Sequence, residues 1–208
     1  MKRQINEAVD DPTEDVDVLQ KFASLGTLSK YTVQRAAGEP VAVSPGIRLG
    51  WNDYFLNIAS IVASRGTCLR RNYGAVIVKD RRVLATGYTG VIQGSPHCVT
   101  CYREENNIPS GQDYGKCHSI HAEDNAIMQV GADACKGAFL YLFGRDVESG
   151  EMLVRPLPCI TCAKHIVRVG IEAVYTYALS EDEEHPIAIE SMSPIAIYEY
   201  RKREIGLT

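Results

Sequence analysis

The amino-acid sequence predicts an α/β fold in which a mixed β-sheet lies between layers of helices. Three observations support this class. Segments with apolar residues at helical spacing alternate along the chain with short apolar runs that are typical of buried strands. Two of those runs flank a short polar turn, which is the pattern of a β-hairpin. With 208 residues, of which 45% are hydrophobic, the chain can bury a core of useful size.

The predicted elements follow one another in the order α-β-β-α-β-α-β. A first helix begins at Trp51 and is expected to end near Gly66, and a long loop rich in glycine, proline and cysteine occupies residues 88–117. No register can be assigned to the tail after residue 177. The remaining elements are strands at 75–78 and 83–86, a helix at 121–131, a strand at 138–143, an inserted turn or hairpin at 144–156, a helix from Pro158 to Gly170 and a strand at 173–177.

The chain has two regions of different composition, and we expect an N-terminal extension followed by one main domain. Residues 1–50 are rich in carboxylates, proline and glycine, which predicts an N-terminal extension that is partly flexible or packs on the main domain or a neighbouring subunit. A short helix near 14–24 is expected within it, because Val16, Leu19 and Phe22 could share a face. Residues 51–208 form the predicted main domain.

The charge and cysteine content narrow the functional classes. A net charge of -4 gives no broad basic surface for a nucleic acid polymer, although one small phosphate needs only a local cluster of donors. The chain has no apolar run long enough to span a bilayer and no apolar segment after its basic first residues. Seven cysteines, an odd number, favour metal binding or catalysis over a disulfide framework. We therefore expect a cytoplasmic protein without membrane or polymer partners.

Two short motifs carry the chemistry. The first is His121-Ala122-Glu123, and the second is Cys159-Ile160-Thr161-Cys162 after Pro158; each lies at a predicted helix start. Zinc binds imidazole nitrogen and thiolate sulfur tetrahedrally, and a catalytic site keeps its fourth position for water. A helix N-terminus favours the thiolate form of cysteine. We therefore expect His121, Cys159 and Cys162 to hold a catalytic zinc, with Glu123 as the proton carrier beside it.

Neither motif alone is specific for catalytic zinc. A Cys-x-x-Cys pair is also found in structural zinc half-sites and in redox centres, and a lone His-x-Glu carries little information. A thioredoxin-like redox pair follows the first strand of a βαβ unit, whereas Cys159 lies late in this chain. The two motifs together, in this order, are the known pattern of zinc deaminases.

Around these motifs the chain resembles the deoxycytidylate deaminase group of the zinc-dependent cytidine deaminase superfamily. The resemblance runs from Trp51 to Tyr177 and rests on the segments 51–55, 74–80, 86–88, 121–127 and 158–164. It implies a three-layer α/β/α fold with a mixed five-stranded sheet. It also implies a homo-oligomer that converts deoxycytidine monophosphate (dCMP) and water into deoxyuridine monophosphate and ammonia.

A second set of cysteines lies in the long loop and beside it. Some members of the same family hold a second, structural zinc with residues at these places. The resemblance implies Cys68, Cys98, Cys101 and Cys117 as its ligands, with His97 as the substitute. A closed zinc site would order a loop that has few apolar anchors. The alternative is four free buried thiols, and Cys135 is expected only to pack in the core.

Substrate recognition is less well defined by the sequence. The basic segment Arg70-Arg71-Asn72 precedes the first strand and is expected to contact the sugar or phosphate, or else to be a solvated turn. Thr89 stands where the family usually has an asparagine near the substrate. Leu179 stands where the family usually has a tyrosine.

These departures keep three functions open. The first is deamination of a cytosine nucleotide, with dCMP as the expected substrate. The second is deamination of a nucleoside, a modified pyrimidine, a nucleoside triphosphate or a purine base, which Thr89, Leu179 and the 144–156 insertion would suit. The third is a zinc-stabilised binding module without turnover. An intact Glu123 argues against the third, because a purely structural site has no use for that carboxylate.

Overall fold

The computed structural model describes residues 48–109, 112–180 and 187–206 of the chain. The expected N-terminal extension and its helix near 14–24 lie outside the described residues, apart from residues 48–50. No helix in these three ranges is long and apolar enough to cross a bilayer.

The described chain contains six α-helices and seven strands. The helices are α1 Trp51–Ala63, α2 Tyr102–Glu105, α3 Ala122–Val130, α4 Ala132–Cys135, α5 Ile160–Arg168 and α6 Pro194–Glu204. The strands are β1 Arg71–Lys79, β2 Arg82–Tyr88, β3 Gly90–Val91, β4 Ser119–Ile120, β5 Phe139–Asp146, β6 Ala173–Leu179 and β7 Ile187–Met192. A single 3-10 turn at Tyr114–Lys116 precedes β4.

Five strands form one mixed sheet in the order β2-β1-β5-β6-β7, and β3 pairs separately with β4. Only β5 and β6 run parallel, and helix α5 connects them; the other neighbours in the sheet are antiparallel. The β1–β2 turn places Asp80 and Arg81 at φ 51° and 59°, the positive values that a two-residue hairpin turn requires. The predicted hairpin and the five-stranded sheet are confirmed.

Successive side chains of the central strands point to opposite faces of the sheet, so the buried residues form two separate cores. In β1, Val76 and Val78 contact one buried cluster that includes Phe55 of α1, while Ala75 and Ile77 belong to the other. Strand β5 alternates in the same way. The second cluster also contains buried residues of α3, α5 and α6, so these three helices cover the opposite face. The predicted three-layer α/β/α arrangement is confirmed.

The 144–156 insertion is a short hairpin, as the sequence predicts. Arg145, near the end of β5, forms an isolated antiparallel bridge with Met152, and the Asp146 carboxylate accepts hydrogen bonds from the backbone N–H groups of Glu148 and Ser149 at 3.1 Å. The tail without an assigned register forms β7 and α6. Cys135 is fully buried in the core, as expected.

Close packing on the sheet depends on a glycine in β2. A Cβ atom at Gly87 would lie 2.2 Å from the Ala122 carbonyl oxygen and 2.4 Å from the Ala126 nitrogen, both in the backbone of α3. Only a residue without a side chain allows this approach. The start of α3, where His121 and Glu123 lie, is thereby held against the strand.

We expect Gly87→Ala to destabilise the protein by about 2 kcal/mol or more, because the helix backbone must move away from the sheet. Gly115→Ala is the matched control, since a Cβ at Gly115 meets nothing within 4 Å. Chemical denaturation of the two variants measures the difference. Equal midpoints would show that α3 does not require the glycine.

Candidate active site and metal centre

Two helix starts meet on one face of the sheet and bring the predicted metal ligands together. His121 is the N-cap residue of α3, and Cys159 is the N-cap residue of α5. The Cys159 sulfur accepts a hydrogen bond from the Cys162 N–H at 3.4 Å, so both sulfurs of the motif point to the same side of the helix start. The structure thus places all three expected ligands at one point.

The spacing of the three side chains suits a tetrahedral zinc ion. His121 Nδ1 lies 3.4 Å from the sulfur of Cys159 and 3.4 Å from that of Cys162. All three ligand atoms lie within 4.8 Å of one another. With Zn–S bonds of about 2.3 Å and Zn–N bonds of about 2.0–2.1 Å, tetrahedral geometry requires an N···S separation of about 3.6 Å. The donor set and its spacing therefore fit zinc.

The anionic groups around His121 favour a positive charge on its ring. A hydrogen bond from Cys162 lowers the pKa of Cys159 to about 4, while the same bond raises the pKa of Cys162. Burial lowers the pKa of His121, but the hydrogen bond to Cys159 and the charge of Glu123 outweigh burial and raise it to about 9. A divalent cation would supply the same positive charge.

Glu123 lies in the first turn of α3 and is only 4% exposed. Burial raises its pKa to about 7, against the opposing effect of His121. A carboxyl group with a pKa near neutrality can both accept and donate a proton under physiological conditions. The carboxylate predicted as the proton carrier therefore has the acidity that the role requires.

The cluster opens into a pocket of about 360 Å³, within the usual range for small-ligand sites. His121, Cys159 and Glu123 line its base. The walls come from the segment before β1, the end of β2, the long loop, the insertion and α6. They include Arg70, Arg71, Tyr73, Thr89, Cys101, Arg103, Tyr114, Leu153, Arg155, Leu157 and Arg201.

Three of the four predicted substrate contacts line this pocket, namely Arg70, Arg71 and Thr89. Thr89 is 5% exposed, and its hydroxyl accepts a hydrogen bond from the Tyr73 N–H at 3.2 Å. Asn72 is not among the lining residues. Its side chain turns the other way, so that a Cβ at Gly66 would lie 2.4 Å from Asn72 Oδ1. The alternation of β1 explains this, since neighbouring residues face opposite sides.

Ion pairs orient the arginines at the mouth of the pocket. Arg70 Nε lies 3.2 Å from a Glu104 carboxylate oxygen of α2. Arg155 Nη2 lies 2.6 Å from a Glu190 oxygen of β7. Arg155 has a φ of 52°, which is unusual for a residue with a side chain, and its N–H donates to the Tyr177 carbonyl at 2.8 Å. The insertion thus contributes a guanidinium group to the pocket lining.

Another part of the pocket lining is built around Arg103, which is 5% exposed. Its guanidinium donates to the carbonyls of Pro109 and Gln112 and lies 4.7 Å from the centre of the Tyr114 ring. Tyr114 in turn contacts the His121 ring edge-on, with 4.8 Å between ring centroids. The loop therefore contacts the His121 imidazole through Tyr114.

Sequence patterns did not indicate Arg103, Tyr114, Arg155 or Arg201 as parts of the site. Arg103 lies in the four-residue helix α2 and Tyr114 in a 3-10 turn, and the others lie in the insertion and the tail; these elements are too short or too polar for a periodic pattern to select them. Leu179 is 69% exposed and is not among the pocket residues. His165 Nδ1 lies 2.7 Å from an Asp124 oxygen at the surface.

The second set of cysteines surrounds a small cavity of about 20 Å³ beside the pocket. Cys68, Cys98, Cys101 and Cys117 all line it, and His97, which is exposed, does not. Burial and then the neighbouring thiols raise the pKa of Cys98. Among the residues in the described ranges, only the His121 group brings three ligand atoms within 4.8 Å of one another. The four sulfurs therefore converge, but more loosely.

Comparison with known proteins agrees with this geometry. The sequence profile described as the cytidine and deoxycytidylate deaminase zinc-binding region matches residues 49–178. The chain belongs to the cytidine and deoxycytidylate deaminase family. The matched segment of this deaminase-family chain contains the cluster, Glu123 and nearly all of the pocket lining, with Arg201 outside it.

Several named relatives are similar to this family member. Deoxycytidylate deaminase of Mycobacterium phage D29 is 39% identical over 132 residues, which cover 61% of this chain and 94% of the phage protein. ComE operon protein 2 of Bacillus subtilis is 37% identical, covering 69% of this chain and 66% of that protein. Deoxycytidylate deaminase of Saccharomyces cerevisiae is 33% identical and covers 68% of this chain, which spans 42% of the yeast protein.

The raised pKa of Glu123 makes a prediction about stability and pH. With a folded pKa of about 7 against 4.5 in the unfolded chain, ionisation of the buried carboxyl opposes folding increasingly from pH 4.5 to pH 7 and fully above it. In protein stripped of metal with a chelator, we expect Glu123→Gln to be more stable than the wild type by about 1–3 kcal/mol at pH 8. The difference should shrink towards zero at pH 4.5. Urea denaturation at the two pH values tests this, and a difference that does not vary with pH would contradict it.

Proposed function

We propose that this chain catalyses the zinc-dependent hydrolytic deamination of a cytosine nucleotide, with dCMP as the substrate. The observation that carries the proposal is the buried carboxylate of Glu123 in the same pocket as the zinc-compatible His121, Cys159 and Cys162. Relatives that are 39% and 33% identical are named deoxycytidylate deaminases, which supports the choice of dCMP.

The site residues divide the chemistry between them. His121, Cys159 and Cys162 would hold zinc, which when bound supplies a Lewis acid that lowers the pKa of a water molecule to about 7. Glu123 accepts a proton from the attacking water and passes it to ring N3; it then accepts the remaining proton of the new C4 hydroxyl and delivers that proton to the leaving amino group. A C4–O bond forms, the C4–N bond breaks, and one water yields one ammonia. Each transfer returns Glu123 to the state that the next one needs.

Arg70, Arg71 and Thr89 support recognition of a nucleotide. All three line the pocket above Glu123, and guanidinium groups bind phosphate oxygens through paired hydrogen bonds. The Thr89 hydroxyl already accepts the Tyr73 N–H, so its own hydrogen is available to a sugar or base oxygen. We propose that these side chains contact the sugar and phosphate of the substrate.

A related deaminase activity on another substrate is the second candidate, and the insertion favours it. Leu153, Val154 and Arg155 of this hairpin line the mouth of the pocket, where substrate size is decided. Ammonia release should be compared for cytidine and deoxycytidine, their mono- and triphosphates, modified pyrimidines and purine bases. A value of kcat/KM at least about ten times higher for any of these than for dCMP, a difference of about 1.4 kcal/mol in transition-state binding, would replace the proposed substrate without changing the reaction type.

Replacing the proton carrier should separate catalysis from metal binding. We expect Glu123→Ala to retain the wild-type zinc content but to lower kcat for dCMP by about 10³-fold or more, because no other group carries the protons. Asp133→Asn, an exposed carboxylate on α4, is the control and should leave both values unchanged. Metal analysis and an ammonia assay on the same samples measure the effect.

Two outcomes would overturn this assignment. Turnover of dCMP by zinc-free protein would rule out the proposed chemistry, and wild-type kcat in Glu123→Ala would rule out the proposed carrier. If the wild type holds zinc but releases ammonia from no substrate in the screen, a zinc-stabilised binding module becomes the better description.

We also propose that Cys68, Cys98, Cys101 and Cys117 hold a second, structural zinc. Their convergence on one cavity of about 20 Å³ supports this, since that volume is suited to a single ion rather than to an organic ligand. None of the seven cysteines, all of which lie in the described ranges, forms a disulfide. Four thiolates would have to draw together around the ion, to about 3.8 Å between sulfurs in tetrahedral geometry.

Metal content tests the second site. We expect about two zinc ions per wild-type chain and about one in Cys98→Ser/Cys101→Ser, which should also unfold at a lower temperature because the loop loses its cross-link. His97→Ala is the control and should keep both ions, since His97 does not line the cavity. About one zinc ion per wild-type chain would contradict the second site. If His97→Ala holds one zinc ion fewer than the wild type, His97 is a ligand.

We further propose that the protein acts in the cytoplasm as a homo-oligomer on a small-molecule nucleotide. Free thiols at all seven positions are compatible with a reducing compartment. Light scattering of the purified protein gives the oligomeric state directly, and a monomeric mass across the working concentration range would contradict the oligomer.

A further inference from the structure

A guanidinium group from the end of the chain holds the segment that carries the first cysteine ligand. Arg201 of α6 donates from Nε to the Pro158 carbonyl at 2.9 Å and from Nη2 to the Leu157 carbonyl at 2.8 Å. Its Nη1 lies 2.6 Å from a Glu204 oxygen one turn later, which orients the group. Nε and Nη2 form one edge of the planar guanidinium, and this edge matches two consecutive carbonyls.

The segment needs such a partner because its sequence removes backbone donors. Pro156 and Pro158 have no N–H group, and the carbonyls of Leu157 and Pro158 lie outside every strand and helix of the described chain. Pro158 and Cys159 are buried, and a buried carbonyl without a partner is costly. The carbonyl of Pro158 belongs to the peptide plane that also contains the Cys159 nitrogen. Holding that carbonyl therefore fixes the position from which the Cys159 side chain leaves the backbone.

Helix α6 is itself fixed in place, so Arg201 acts from a rigid support. The Ser193 hydroxyl accepts the Ala196 N–H at 3.3 Å as the N-cap, and Ile197 is 1% exposed in the core that includes Ala163 and Ile166 of α5. The Arg201 side chain is 25% exposed and lines the pocket. The last helix is thus connected to the metal-binding helix by both apolar packing and this polar contact.

We infer that Arg201 is a positioning residue that orients the Cys159 sulfur for zinc through the carbonyls of Leu157 and Pro158. This role rests on the proposed zinc site. Partners that orient metal ligands change metal affinity by about 10–100-fold when they are removed. The C-terminal helix is thereby part of the metal centre, although it contributes no ligand.

The test measures the rate at which the full chain releases zinc into an excess of a chromogenic chelator. A His121→Ala variant, which lacks one ligand of the proposed catalytic site, shows which kinetic phase of the release belongs to that site. We expect Arg201→Ala to release that zinc at least about 10-fold faster than the wild type. Arg201→Lys should also release it faster, because an ammonium group cannot present a planar edge to both carbonyls. Arg203→Ala, an exposed arginine on the same helix, should release zinc at the wild-type rate.

Thermal unfolding with and without zinc distinguishes positioning from general destabilisation. Loss of positioning should reduce the increase in Tm that zinc confers, whereas a merely structural role would lower both Tm values equally. Wild-type release rates in both Arg201 variants would overturn the inference while leaving the proposed function intact. If Arg201→Ala does not fold, Arg201→Lys decides the outcome alone. If the wild type shows no zinc-release phase that is lost in His121→Ala, the proposed function is contradicted, and the inference fails with it.

Discussion

The candidate site depends on two helices that begin side by side on one face of the sheet. Helix α3 reaches this position because Gly87 lets its backbone touch β2, and because Ala122 and Ala126 are fully buried. Helix α5 is placed by the parallel pairing of β5 and β6, which requires a crossover connection on one face. Since His121 and Cys159 are the N-cap residues of the two helices, their meeting follows from the packing of the helices.

The same arrangement buries a group that opposes folding. Glu123 is buried with a raised pKa beside the three candidate metal ligands. Buried ionisable groups are costly unless they are paired or bind a metal. A divalent ion held by His121, Cys159 and Cys162 would satisfy two sulfurs and a nitrogen at once, with Glu123 as a nearby carboxyl outside this ligand set. Burial of Glu123 thus lowers the stability of the fold while it suits the carboxyl to proton transfer. At the three ligands, a bound ion would serve both stability and function.

Much of this could be predicted from the sequence, because the decisive patterns are local. The hairpin follows from apolar runs around Asp80 and Arg81, and the ligands follow from two motifs at helix starts. Contacts between distant segments could not be predicted in this way. Arg201 lies 42 residues after Cys159, on a helix whose charged sequence shows no clear apolar face. Strand β7 is only half-buried and shows no alternation, so its pairing with β6 had no signal.

The placement of Asn72 shows a second reason why sequence reasoning falls short. Arg70, Arg71 and Asn72 are consecutive and polar, and composition alone gave them one expected role. Pairing of β1 with β5 from Arg71 onwards makes neighbours face opposite sides, so Arg71 lines the pocket and Asn72 turns to Gly66. The pleat of the strand, and not the residue type, decides which side chain can contact a ligand.

X-ray absorption at the zinc edge tests the central claim most directly. It should be measured on Cys98→Ser/Cys101→Ser, so that a second ion does not contribute. Coordination by His121, Cys159 and Cys162 predicts two sulfur neighbours at about 2.3 Å and two nitrogen or oxygen neighbours at about 2.0–2.1 Å. Four sulfur neighbours, or no sulfur neighbour at all, would contradict a zinc ion held between the two helix starts.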